Sequence, residues 1–138
     1  MKVLVDTCTW SLLLRRKHGT VLSSEEESMV TLLREAIRDG RVAIIGPIRQ
    51  EVLSGIKHEA QFDKLRDALG DFPDVQLTRH HFEEAARLFN LCQGRGVACG
   101  ATDILMCAVA ALERFELLTA DQGLRRCIEV LRGEGLLP

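Results

Sequence analysis

Four carboxylate residues of this chain share a local setting that suits catalysis. Asp6 and Asp121 each follow an apolar run that is predicted to be a β-strand. Glu51 and Asp103 lie near the beginnings of two predicted helices. Ligands of open α/β sheets bind beyond the carboxyl ends of the strands. We therefore expect these four acids to meet at one edge of a parallel sheet.

Carboxylates that lie close together repel and raise one another's pKa. A cluster of four therefore needs a bound proton or a divalent cation. Oxygen ligands favour Mg²⁺ or Mn²⁺. One or two such ions could activate water for in-line attack on a phosphodiester. The predicted metal ligands are Asp6, Asp103 and Asp121, the further catalytic residues are Glu51 and Thr119, and the residues that orient hydrogen bonds are Thr7 and Thr119.

Each acid also has a purely structural interpretation. Asp6 could simply cap the helix that follows it. Asp103 could be favoured by the dipole at a helix N-terminus, which contributes roughly 0.3–1 kcal/mol. The nuclease interpretation therefore depends on all four acids falling at strand ends or helix starts on one edge.

The elements that would position these acids form an alternating α/β pattern. Val3–Val5 shows no alternation of polar and apolar residues, which is typical of a central strand covered on both faces. Further strands are predicted at Arg41–Ile45 and Phe115–Thr119, with short ones at Val75–Leu77 and Leu136–Leu137. Helices are predicted at Cys8–Leu14, where Trp10 packs inside, at 24–39, from Gly46-Pro47 onward, and at Glu59–Leu69, Arg79–Gln93, 101–112 and Leu124–Arg132.

The composition indicates one ordinary globular domain covering residues 1–138. Apolar residues make up 46% of the chain and charged residues 28%. The longest apolar stretch, Ile104–Leu112, is too short to span a membrane, and the N-terminus does not resemble a signal peptide, so a cytoplasmic protein is expected. The five cysteines include no C-x-x-C pair, which predicts neither a disulfide framework nor a zinc site, and we expect them to pack as small hydrophobic residues.

The charge balance does not by itself indicate a nucleic-acid binder, since the formal net charge is −2. With four carboxylates held in a metal site, the rest of the chain would carry +2. Arg15, Arg16 and Lys17 form a basic cluster, and Arg95 lies in the glycine-rich segment 94–100. That segment follows a helix, not a strand, which argues against a dinucleotide-binding loop. The four basic residues are candidate RNA contacts, although the cluster could equally be a solvated helix end.

The segments around the acids resemble the motifs of the PIN domain family, and specifically its VapC toxin branch. Val3-Leu4-Val5-Asp6-Thr7, Gln50-Glu51-Val52-Leu53, Ala101-Thr102-Asp103-Ile104 and Leu118-Thr119-Ala120-Asp121 are similar to its four successive motifs. The resemblance implies a three-layer α/β/α fold with a central parallel sheet of four to five short strands and about seven helices. It also implies a Mg²⁺- or Mn²⁺-dependent endoribonuclease that forms a homodimer and is inhibited by a cognate VapB-type antitoxin.

Two other classes of protein need residues that this chain lacks or does not clearly show. An aspartyl-phosphate phosphatase needs a second aspartate two positions after the first, where this chain has Cys8. The paired early acids and the late lysine of a receiver domain are not evident. The alternatives that remain are a PIN-fold module that binds RNA or protein without turnover and a PIN nuclease of RNA processing.

The helix 24–39 has a broad apolar stripe, which predicts either core packing or a surface for the antitoxin.

Overall fold

A computed structural model describes residues 1–15 and 19–138 of the chain. Its sheet contains three parallel strands in the described residues, β1 (Val3–Val5), β2 (Val42–Ala43) and β3 (Glu116–Leu118), in the order β2-β1-β3. All three residues of β1 are buried, and adjacent side chains of a strand point to opposite faces. Both faces of the central strand are therefore covered, as its sequence predicts.

The sheet has fewer strands than the four to five predicted. Val75–Leu77 is not a strand, because the pairing beside it is limited to an isolated bridge between the preceding residue, Asp74, and Ile44. The chain then leaves the sheet to begin a helix at Arg79. Leu136–Leu137 is not a strand either, since the amide of Leu136 donates to the carbonyl of Leu131. The end of the chain thus folds back on the last helix instead of joining the sheet.

Seven helices surround this sheet in the described part of the chain, as predicted. Their bounds are α1 (Thr7–Leu14), α2 (Ser24–Arg38), α3 (Gly46–Leu53), α4 (Glu59–Leu69), α5 (Arg79–Gly94), α6 (Ala101–Glu113) and α7 (Gln122–Gly133). Together with the sheet they form an α/β fold, the class that the sequence predicts. None of the described helices combines the length and apolarity needed to cross a bilayer.

Local sequence signals account for the beginnings of several helices. Ser23 accepts a hydrogen bond from the amide of Glu26, and the Glu26 carboxylate accepts one from the amide of Ser23, which closes a capping box at α2. Pro47 occupies the first turn of α3, where its missing N–H costs nothing. These signals fix where each helix begins relative to the strand before it.

The core is centred on α6, whose residues Ile104–Ala110 are all buried. A helix that is apolar on every side is expected to be enclosed, as the sequence predicts. Trp10 is also fully buried, and its ring centroid lies 5.0 Å from that of Phe72. The prediction that Trp10 packs inside the protein is confirmed.

The cysteines depart from the sequence prediction. Cys99, just before α6, forms a disulfide with Cys127 of α7, so the prediction that no disulfide is present is wrong. Cys8 is exposed, whereas Cys92 and Cys107 are buried free thiols that pack as small hydrophobic residues. The spacing of Cys99 and Cys127 matches no local motif, because the fold alone brings them together.

Candidate active site

Asp6 lies at the carboxyl end of β1 and is the N-cap of α1. Its Oδ1 accepts a hydrogen bond from the amide of Thr9 at 2.8 Å, and its Oδ2 accepts one from the Thr119 hydroxyl. Asp6 is only 4% exposed. The capping interpretation is therefore correct, and the same residue still lies where the sheet ends.

Asp121 has an equivalent position after β3. Its Oδ2 accepts a hydrogen bond from the amide of Leu124 at 2.8 Å, which caps α7. The Thr119 hydroxyl accepts from the amide of Asp121 at 2.9 Å while it donates to Asp6. Buried Thr119 thus links the two strand-end acids through its side chain.

Glu51, on α3, is exposed but both of its carboxylate oxygens are engaged. Thr7 Oγ1 donates to Oε2 at 2.6 Å, and Thr102 Oγ1 donates to Oε1 at 2.8 Å. Thr7 belongs to α1 and Thr102 to the first turn of α6. The side chain of Glu51 is therefore oriented by two other helices.

The charges of the four acids act on common neighbours. Burial raises the pKa of Asp103 above its usual value, and the negative charges of Asp121, Asp6 and Glu51 raise it further, in that order. The pKa of the Cys8 thiol is also raised, first by burial and then by the charges of Asp6, Asp121, Asp103 and Glu51. Asp6, Glu51 and Asp121 thus lie within electrostatic reach of Asp103, and the assignment of the four acids to one catalytic site stays a prediction.

The chemistry of these side chains suits a hydrated divalent ion. All four acids offer hard oxygen atoms, but Asp6 uses both oxygens, and Asp121 one, in hydrogen bonds to the protein. Within residues 1–15 and 19–138, no three His, Cys, Asp or Glu side chains are gathered closely enough to form a ready set of metal ligands. Mg²⁺ commonly keeps several waters and takes one or two carboxylates directly. The donor set fits an ion bound in that way.

The structure describes two of the four basic residues that were predicted to contact RNA, and both of these side chains have protein partners. Arg15 Nη1 donates to the carbonyl of Val52 at 3.4 Å, and Arg95 forms an ion pair with Glu134. Arg16 and Lys17 lie outside the described residues.

An open groove of about 430 Å³ runs along α1 and the segment that leads into α2, and both Cys8 and Arg15 line it. Cys8, one of its lining residues, lies within electrostatic reach of the four acids, whose charges raise the pKa of its thiol.

Two residues of the site, Thr102 and Cys8, were not assigned roles from the sequence. Thr102 immediately precedes Asp103, and its hydroxyl contacts Glu51, which is 51 positions away in the chain. The sequence signal that could have identified Thr102 is its position directly before Asp103, because residues beside an acid at a helix start share its surroundings. Cys8 is two positions after Asp6 and could have been found in the same way.

Comparisons with known proteins agree with this fold. The family model described as the PIN domain matches residues 3–129. Among solved structures, the chain is similar to one in the crystal structure of FitAcB from Neisseria gonorrhoeae, with a TM-score of 0.66 and 16% sequence identity. That alignment covers 92% of this chain and 93% of the other. No curated protein sequence matches the chain.

Proposed function

Because this chain belongs to the PIN domain family, whose members are generally metal-dependent nucleases, we propose that it is an endoribonuclease dependent on Mg²⁺ or Mn²⁺. The observation that carries the proposal is the convergence of four acids from separate elements, seen in the raised pKa of Asp103. Such a concentration of negative charge costs stability unless a cation compensates it. A function that uses a cation therefore explains why four acids lie within reach of one another.

In this proposal Asp6, Asp103 and Asp121 would hold the metal ion, either directly or through its bound waters. When bound, the ion supplies positive charge to the scissile phosphate and lowers the pKa of water at the site. Glu51 orients the attacking water and accepts its proton, since Thr7 and Thr102 fix the direction of its carboxylate. Thr119 keeps Asp6 and Asp121 at a constant separation.

The proposed substrate is single-stranded or loop RNA that enters along the groove beside α1. Arg15 lines that groove, so its guanidinium can contact a phosphate there. We propose the same role for Arg16, Lys17 and Arg95. Arg95 would have to exchange its Glu134 partner for phosphate, an exchange available to an exposed ion pair.

We also propose that the chain is the toxin of a VapBC-type pair, acting in the cytoplasm as a homodimer that a VapB-type antitoxin inhibits. Most of the α2 stripe faces the core, because Val30, Leu33 and Ala36 are buried. The core-packing interpretation is thus correct for these three residues. Val21, which lines the groove, is 92% exposed, and Leu32 of α2 is 45% exposed; an antitoxin segment would cover such apolar surface.

Two alternatives predict different behaviour in solution. A PIN-fold binding module without turnover is favoured by the absence, among the described residues, of three ligands already gathered for a metal. Such a module would bind RNA or protein and leave RNA intact. A PIN nuclease of RNA processing would cleave RNA but would have no antitoxin encoded beside it.

The test is cleavage of a labelled single-stranded RNA mixture by the purified chain. We expect cleavage with Mn²⁺ or Mg²⁺, none with EDTA, and no release of phosphate from a small phosphate ester. Asp6→Asn, Asp103→Asn and Asp121→Asn should each lower the rate at least about 100-fold while the fold persists, because each removes a charge from the metal site and keeps its shape.

The matched control is Asp71→Asn, which alters an exposed loop aspartate. It should cleave like the wild type. Undiminished cleavage by well-folded Asp6→Asn, or equal cleavage in EDTA, would refute the metal-dependent mechanism.

A further inference from the structure

The carboxylate of Glu51 is held at both ends by hydroxyl groups from other helices. Thr102 Oγ1 lies 2.8 Å from Oε1, and Thr7 Oγ1 lies 2.6 Å from Oε2. Glu51 is itself exposed, so burial alone does not fix its side chain. Immobilising a glutamate side chain costs rotamer entropy. The two hydrogen bonds supply the compensation.

Both threonines are sequence neighbours of site acids. Thr7 directly follows Asp6, and Thr102 directly precedes Asp103. A hydrogen bond from each threonine to Glu51 therefore ties α3 to the two segments that deliver Asp6 and Asp103. The spacing between Glu51 and these acids is set through the hydroxyls.

Electrostatic repulsion acts against this arrangement. Ionised Glu51 and Asp103 carry like charges, which repel each other across the site. A flexible, exposed glutamate would reduce that repulsion by turning into solvent. The Thr7 and Thr102 hydroxyls hold it toward the other acids instead.

A hydroxyl suits this task better than a cationic side chain. An ionised carboxylate has about four acceptor positions, and one hydroxyl on each oxygen leaves a further position on each. A lysine or arginine in the same place would cancel the negative charge that attracts a divalent cation. Threonine orients the carboxylate and leaves its charge available.

We propose that Thr102 is a positioning residue that acts through Glu51 to set the affinity of the site for divalent cations and the rate of cleavage. This inference rests on the proposed function of the site. Thr102 keeps Glu51 in the direction from which it reaches the water around the cation, and Thr7 supports the other oxygen.

The experiment compares Thr102→Val, which removes the hydroxyl and keeps the shape, with Thr102→Ser, which restores the hydroxyl. Thr31→Val, at an exposed position of α2, is the matched control. Mn²⁺ affinity is measured by calorimetric titration of the whole chain, and RNA cleavage is measured as kcat and KM. Melting in EDTA confirms that every variant folds.

We expect Thr102→Val to weaken Mn²⁺ binding about 10-fold or more, as for other residues that orient metal ligands. Its kcat should fall, with little change in the KM for RNA. Thr102→Ser should remain within about 3-fold of the wild type, since its hydroxyl can donate the same hydrogen bond, and Thr31→Val should match the wild type.

Two results would overturn the inference while the proposed function stands. One is wild-type Mn²⁺ affinity and kcat in folded Thr102→Val. The other is a serine variant as impaired as the valine variant, which would show that packing and not the hydroxyl matters. Absence of Mn²⁺ binding by the wild type itself would overturn both proposals.

Discussion

At the scale of single residues, the site acids differ in how much the fold depends on them. Asp6 and Asp121 accept backbone hydrogen bonds as the caps of α1 and α7. Replacing a cap residue by alanine typically costs about 1 kcal/mol, whereas asparagine caps about as well as aspartate. Asparagine variants at these two positions therefore separate catalysis from folding.

Asp103 is the acid whose charge is least favourable to the fold. It lies in the first turn of α6, where the helix dipole favours a negative charge. Burial and the charges of Asp121, Asp6 and Glu51 nevertheless raise its pKa, so the unfavourable effects outweigh the dipole. Ionised Asp103 consequently destabilises the folded protein when no cation is present.

The raised pKa of Asp103 makes the stability of the folded protein depend on pH. Since the pKa of Asp103 is higher in the folded than in the unfolded chain, the folded state binds the proton more tightly, and its ionisation costs stability at neutral pH. Asp103→Asn should therefore be more stable than the wild type at about pH 7 in EDTA. The difference should shrink as the pH falls toward about 4, where the unfolded aspartate also takes up its proton.

The measurement is urea unfolding of both proteins across this pH range. Carboxylates remote from the site titrate alike in both proteins, so the difference between the two curves reports residue 103 together with its coupling to the neighbouring acids. A difference that stays constant with pH would show that the pKa of Asp103 is not raised by folding.

At the scale of elements, the Cys99–Cys127 disulfide joins the segment before α6 to α7. These two helices carry Asp103 in the first turn of one and Asp121 at the N-cap of the other. The cross-link closes a loop with a sequence separation of 28 residues. It therefore restricts the unfolded chain and also connects two acid-bearing elements.

We predict that reduction lowers the free energy of unfolding by roughly 2–4 kcal/mol, as expected for a disulfide closing a loop of this size. Urea unfolding with and without a thiol reductant measures the change. The double variant Cys99→Ser, Cys127→Ser should not respond to the reductant. In denaturant without reductant, thiol titration should count the three free cysteines Cys8, Cys92 and Cys107; a count of five would contradict the cross-link.

The elements show how far sequence reasoning extends. The bounds of α4 were predicted to the residue, because its apolar spacing and flanking loop signals are local. The two short strands failed because pairing in a sheet depends on a partner elsewhere in the chain. Val75 makes one backbone hydrogen bond to Ile44, too little to form a strand.

The distinction between local sequence signals and contacts with distant parts of the chain also applies to the candidate site. The positions of Asp6, Asp103 and Asp121 were predictable, since each stands at a strand end or a helix start that the sequence marks. Glu51 was expected near the beginning of its helix, but it lies in the last turn of the eight-residue α3. The contact between Thr102 and Glu51 was not predictable, because 51 residues separate them and no local pattern records the pairing. The disulfide was missed for the same reason.

At the scale of the whole molecule, the four acids concentrate negative charge in a chain whose formal net charge is only −2. The remainder of the surface is therefore close to neutral or slightly basic. A cation at the site would remove repulsion among the acids and leave that remainder available to approach RNA. Folding stability and activity should then depend on the same ion.

The whole-molecule prediction is that Mg²⁺ or Mn²⁺ raises the melting temperature relative to EDTA. An ion that binds only the folded state at about 100 times its Kd adds roughly 2.7 kcal/mol, which corresponds to an increase of roughly 6–12 °C for a chain of this size. A variant with Asp6→Asn, Glu51→Gln, Asp103→Asn and Asp121→Asn should show no increase, because its site has no carboxylate. It should also melt higher than the wild type in EDTA, since the repulsion that raises the pKa of Asp103 is absent. Calorimetric melting of both proteins with and without the ion tests this, and an equal increase in the two would place the stabilising ion elsewhere on the protein.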